Sequence, residues 1–109
     1  MSSALYRYVL YLSEDDWEHL RDGFDRRVRR FRSKTKLQQI ERVRDALNEA
    51  SADRWPDEGE FRYAVYLPED DFEFFEGSAL HHKYGGVPRD RQNVISHEFA
   101  LACGDRREA

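Results

Sequence analysis

From residue 6 onward, apolar and polar positions alternate for seven residues and then change period. Tyr8, Leu10 and Leu12 share one side of an extended backbone, while Arg7, Val9 and Tyr11 take the other. Tyr, Val and Leu suit a pleated, half-buried strand. Ser13 then offers a helix cap, and Glu14-Asp15-Asp16 fill a first turn where the helix dipole favours acids. Trp17, Leu20, Phe24, Val28 and Phe31 follow at spacings of three and four, which is one apolar stripe of a helix. A second helix is predicted next, capped by Ser33 or Thr35, with Leu37, Ile40, Val43 and Leu47 along one side.

The pattern then starts again. Setting Tyr6 against Phe61, an offset of 55 residues, makes eight of the thirteen positions from 6 to 18 identical, where about one is expected by chance. Tyr63, Val65 and Leu67 repeat the inward set, and Arg62, Ala64 and Tyr66 the outward one. Pro68 replaces Ser13 and pre-sets the backbone of a first turn, before Glu69-Asp70-Asp71. Phe72, Phe75 and Ala79 begin the helical stripe again, and Tyr84-Gly85-Gly86 ends it. The segment from Pro88 to Cys103 reads as the matching second helix. Its alternation of Ile95, His97, Phe99, Leu101 and Cys103 also fits a strand, but the corresponding KLQQIERVRDALNEA has no strand character.

The chain is thus an internal duplication: repeat one over residues 1–52, a linker over 53–60 within the polar stretch Ser51 to Glu60, and repeat two over 61–109. A strand-helix-helix unit this small cannot bury its own apolar faces. Two copies can share one core, so the fold class is α+β, mostly helical: a two-stranded antiparallel ribbon with four helices on one side, in a single domain.

Composition adds a lopsided charge. The 109 residues carry a net charge of −4, yet seven cations and no acid lie between Arg26 and Lys36. The arginines of that run also suit a helix C-terminus, where they offset the dipole and can pair with Asp22 and Asp25. No apolar run is long enough to span a bilayer, and no signal peptide is apparent, so a cytoplasmic protein without a membrane partner is expected.

RYAVYLPEDDFEFF is similar to the strand-to-helix signature of ribbon-helix-helix transcription regulators of the Arc and MetJ type, with Leu67-Pro68-Glu69 at the family's L-P-E position. GGVPRDRQNVI resembles that family's loop into its second helix, and SKTKLQQIERVRDAL resembles that same helix in repeat one. The resemblance implies a tandem version in one chain, a monomeric pseudo-dimer or a higher assembly of it. It implies further that Arg7, Val9, Tyr11, Arg62, Ala64 and Tyr66 enter the major groove of double-stranded DNA. Phosphates would be held by Arg32, Ser33, Lys34, Thr35 and Lys36 at the start of the second helix. The expected function is a sequence-specific DNA-binding transcriptional regulator. The largely apolar outward set equally suits a protein-interaction or inhibitor module of the same fold, with a protein partner in place of DNA.

Other chemistry finds little support in the residues. Helix capping accounts for both acid clusters. His81-His82 are adjacent, so one helix face cannot present both to a metal. His19 and His97 have no visible partner. Cys103 has no identifiable base and reads as a small buried hydrophobe. No catalytic residue, metal site or cofactor is expected.

Overall fold

A computed structural model describes residues 4–55, 60–81 and 87–108. The elements follow the order β1 (Leu5–Leu12), α1 (Glu14–Val28), α2 (Lys34–Glu49), β2 (Ser51–Trp55), β3 (Glu60–Pro68), α3 (Glu69–Ala79), α4 (Arg89–Asp105) and β4 (Arg107–Glu108). The protein is α+β and mostly helical, with four helices and a small antiparallel sheet among the described residues. The segment predicted as the second helix of repeat two, in spite of its strand-like alternation, is helical: Ile95, Phe99 and Ala102 face the core, while His97 and Leu101 are exposed. The Tyr84-Gly85-Gly86 turn, and residues 56–59 of the linker, lie outside the described residues.

β1 and β3 pair antiparallel from Leu5↔Pro68 to Leu12↔Phe61. The repeat offset maps this ladder onto itself. Tyr6↔Leu67 becomes Leu12↔Phe61, and Val9↔Ala64 maps onto its own exchange, so that pair marks the centre of the ribbon. The inward sets behave as the alternation predicts. Tyr8, Leu10, Leu12, Tyr63, Val65 and Leu67 are all buried.

The expected two-stranded ribbon needs correction, because the sheet has four strands in the order β2-β3-β1-β4. Half of the expected linker is strand: β2 pairs with β3 from Ser51↔Ala64 to Trp55↔Glu60. β4 pairs with β1 at Tyr6↔Glu108 and Arg7↔Arg107. The strand following each second helix therefore adds to the other repeat's strand. Exchange of the repeats leaves the sheet order unchanged. SADRW lacks strand-forming periodicity; pairing with an adjacent sheet edge, rather than intrinsic preference, gives it its conformation.

The helices cross between repeats in the same way. α2 packs on β3 and α4 on β1, while α1 and α3 pack together. One apolar cluster runs through both repeats, from Leu20, Phe24 and Val43 to Phe75, Ile95 and Phe99. Each such side chain contributes about 1.5–3 kcal/mol by leaving water. Tyr8 of repeat one stacks on Phe72 of repeat two, with centroids 3.7 Å apart and planes 3° apart. The equivalent pair, Tyr63 on Trp17, stacks at 4.2 Å and 8°. The same contact is made twice, both times across the repeat boundary. Leu37 leaves the predicted stripe: it lies 49% exposed in the first turn of α2. Phe31 follows the end of α1 and still packs against the core.

Candidate functional site: the outward sheet face and its flanks

Alternation along β1 and β3 carries six side chains to the face opposite the core, in the cross-strand pairs Arg7↔Tyr66, Val9↔Ala64 and Tyr11↔Arg62. The strands thus bring the expected outward set together. They do not open it evenly. Tyr11 and Tyr66 are 42% and 47% exposed, Arg7, Val9 and Arg62 are half-buried, and Ala64 is buried at 8%. The reason is size: a methyl group at the centre of the ribbon sits between longer neighbours on both strands. The face presents two aromatic rings and two guanidinium groups around a shallow centre.

The second expected group stands apart, at the N-terminus of α2. Arg32, Ser33, Lys34 and Thr35 are exposed there. Ser33 occupies the cap position, but its side chain makes no capping hydrogen bond, and the first turn holds no acid. By contrast, Ser13 accepts a hydrogen bond from the Asp16 N–H at 3.2 Å, as its sequence context predicts. Arg32 donates to its own neighbourhood, reaching the Arg29 carbonyl at 2.8 Å. Lys36 is drawn inward: its ammonium lies 4.7 Å from the Phe74 ring centre and donates to Gln39 at 3.3 Å. Cation–π contact of this kind is worth about 0.5–1 kcal/mol at a surface site, so Lys36 is less available to an anion than Lys34. Thr35 shares a cleft with Pro68 and Asp70, which sets an acid close to this end of α2.

Capping alone does not account for the acid clusters. Asp16 and Asp71 are buried, and each holds an arginine from the other repeat. Arg91 donates through Nε to Asp16 Oδ1 at 3.1 Å and through Nη2 to Oδ2. Arg42 grips Asp71 at 2.8 and 3.1 Å, with Gln39 donating to the same carboxylate at 3.1 Å. Hydrogen bonding from Arg91 is the largest influence on Asp16 and outweighs burial, so its carboxyl titrates below the usual range. The signal was present in the spacing. Asp16 falls four residues before Leu20 and eight before Phe24, on the buried stripe, and Asp71 stands likewise before Phe75 and Ala79.

Beside β1 lies a groove of about 590 Å³, between the outward side chains Arg7, Val9 and Tyr11 and the exposed flank of α4. Asp25, expected to neutralise the arginine run of its own helix, instead accepts from Arg44 of α2 at 3.1 Å. Arg27 lies over the Phe31 ring at 4.8 Å. Cys103 is half-buried against the core, and burial raises its thiol pKa further above neutrality. No group of three metal-binding side chains occurs among the described residues, and no helix of theirs is long and apolar enough to cross a membrane. Compared with known proteins, the chain matches no family model, no curated protein and no solved structure.

Proposed function

We propose that the chain is a protein-interaction module, built as a ribbon-helix-helix pseudo-dimer within one polypeptide, that binds its partner through the outward sheet face. The observation that carries this reading is the width of the sheet. At each end of the ribbon a third strand lies alongside, β2 next to β3 and β4 next to β1. Three strands span about 10 Å between outer axes before side chains are added. A major groove about 12 Å wide admits two strands with their side chains, and the third would meet the phosphate walls. Tyr11 and Tyr66 supply large, half-exposed contact area of the kind that anchors protein interfaces. The net charge of −4 supports the same choice, since it opposes approach to a polyanion.

DNA binding is the second reading, favoured by one observation: the acid-free start of α2, with Arg32, Ser33 and Lys34 exposed. Two measurements separate the readings. Affinity capture with the wild type, compared with a Tyr11→Ser/Tyr66→Ser double variant, should recover a protein partner that the variant loses. Titration against duplex DNA at several salt concentrations should give only weak, sequence-indifferent binding. Tight binding whose logarithm falls steeply with log salt, and which Arg7→Ala and Arg62→Ala abolish, would replace the protein-interaction reading with the regulator.

A further inference from the structure

We infer that the groove between β1 and α4 takes the free carboxyl terminus of an extended peptide, added as a strand antiparallel to β1. The inference rests on the protein-interaction reading and specifies its partner. Its first support is an unpaired edge. Among the described residues β4 reaches only Tyr6 and Arg7, and from Val9 to Leu12 no strand lies on the outer side of β1. Alternate residues of such an edge direct backbone N–H and C=O outward, ready to pair with an incoming strand. The flank of α4 forms the far wall. Leu101 is 47% exposed there, and a Cβ at Gly104 would meet no atom within 4 Å.

The second support is charge. Arg7 and Arg107 are direct cross-strand partners, so their side chains leave the same face with Cβ atoms about 4.5–5.5 Å apart. Like charges placed opposite one another are unfavourable. Neither guanidinium has an ion pair or side-chain hydrogen bond among the described residues, although Glu98 and Asp105 line the same groove, where Arg7, Arg106 and Arg107 outnumber them. A carboxylate between them would relieve the repulsion through charge-assisted hydrogen bonds.

Position decides which carboxylate. The two arginines stand where β4 begins and the open edge ends. A peptide strand running along Leu12 towards Val9 must therefore stop at them, which is where a chain terminus, rather than a mid-chain acid, belongs. Its direction is that of β4, antiparallel to β1. Val9, Tyr11 and Leu101 would receive the alternate apolar side chains that precede the terminus.

The test is selection of random hexapeptides displayed with free carboxyl termini against the whole chain. The enriched sequence is then synthesised as the acid and as the amide, for fluorescence anisotropy. Apolar residues should be enriched at alternate positions. The amide should bind at least tenfold more weakly than the acid, as should the acid to Arg107→Gln. Gly104→Tyr, whose Cβ meets no atom within 4 Å, should obstruct the groove and abolish binding while leaving the circular dichroism and Tm of the protein intact. Equal affinity for acid and amide, or undiminished binding to Gly104→Tyr, would overturn the inference. So would failure to enrich any sequence while a partner is still captured through Tyr66, which lies outside the groove; that result leaves the protein-interaction reading standing.

Discussion

The Tyr8 hydroxyl is buried and makes no well-formed hydrogen bond among the described residues; the nearby Arg106 guanidinium opposes, without cancelling, the upward shift that burial imposes on its pKa. Its ring does the structural work, lying flat on Phe72. An unpaired buried hydroxyl costs about 1–3 kcal/mol, so removing it should not weaken the fold. Tyr8→Phe is expected to be neutral or to stabilise by about 1 kcal/mol, read from the urea midpoint at unchanged slope. A loss larger than that would mean that the hydroxyl makes a bond in solution. At this scale the sequence was most legible for burial: the alternation of Tyr8, Leu10 and Leu12 predicts their inward side without error. It was least legible where a neighbour's size decides, as at Ala64, which alternation sends outward and longer side chains cover.

Among elements, the two carboxylate–arginine pairs tie each first helix to the other repeat's second helix, Asp16 of α1 to Arg91 of α4 and Asp71 of α3 to Arg42 of α2. Their two ends are unequal. The aspartates are buried, whereas Arg91 and Arg42 are 41% and 55% exposed. Removing the arginine strands a buried charge, while removing the aspartate leaves a cation that water can solvate. Arg91→Met should therefore cost about 3 kcal/mol and Asp16→Asn clearly less, measured by denaturant unfolding at pH 7. The folded pKa of Asp16 lies below its unfolded value of about 3.9. The pair's contribution is thus complete above that value and is lost as pH falls through the lower, folded one. Asp16→Asn should flatten the decline of stability with acid below about pH 4, and an unchanged slope would show that Asp16 titrates as an ordinary carboxylate. Four helices and two strands could be read from periodicity, because an apolar stripe is a local property. β2 and β4 could not, because an edge strand of five or two residues owes its conformation to the strand beside it rather than to its own residues.

For the whole molecule, every major contact class crosses the duplication boundary: the strand ladder, the ring stacks, the carboxylate–arginine pairs and the packing of α2 and α4. Neither repeat keeps a core of its own. Polypeptides 1–57 and 58–109 prepared separately should each show little helical circular dichroism and regain it on mixing at equimolar ratio, with a midpoint that depends on concentration. The intact chain should show a Tm that does not. A stable, helical 1–57 fragment alone would contradict the interleaved packing. This organisation could be read from the repeat offset of 55 residues, since halves of that size need one another. Which face would then work could not be read, because the strands that widen the sheet come from the start of the polar stretch read as linker and from residues 107–108, beyond the predicted last helix.

The central pair, Val9 opposite Ala64, has a consequence for how such a protein changes over time. In an assembly of two identical chains, any substitution on the symmetry axis occurs twice at once and must suit its own mirror position. Here each position belongs to one gene segment and mutates alone. A bulky residue can therefore face a small one across the axis, and one flank can acquire arginines while the other stays acidic. The duplicated chain keeps the stability of a symmetric pair, yet selection can shape its two sides independently, one residue at a time.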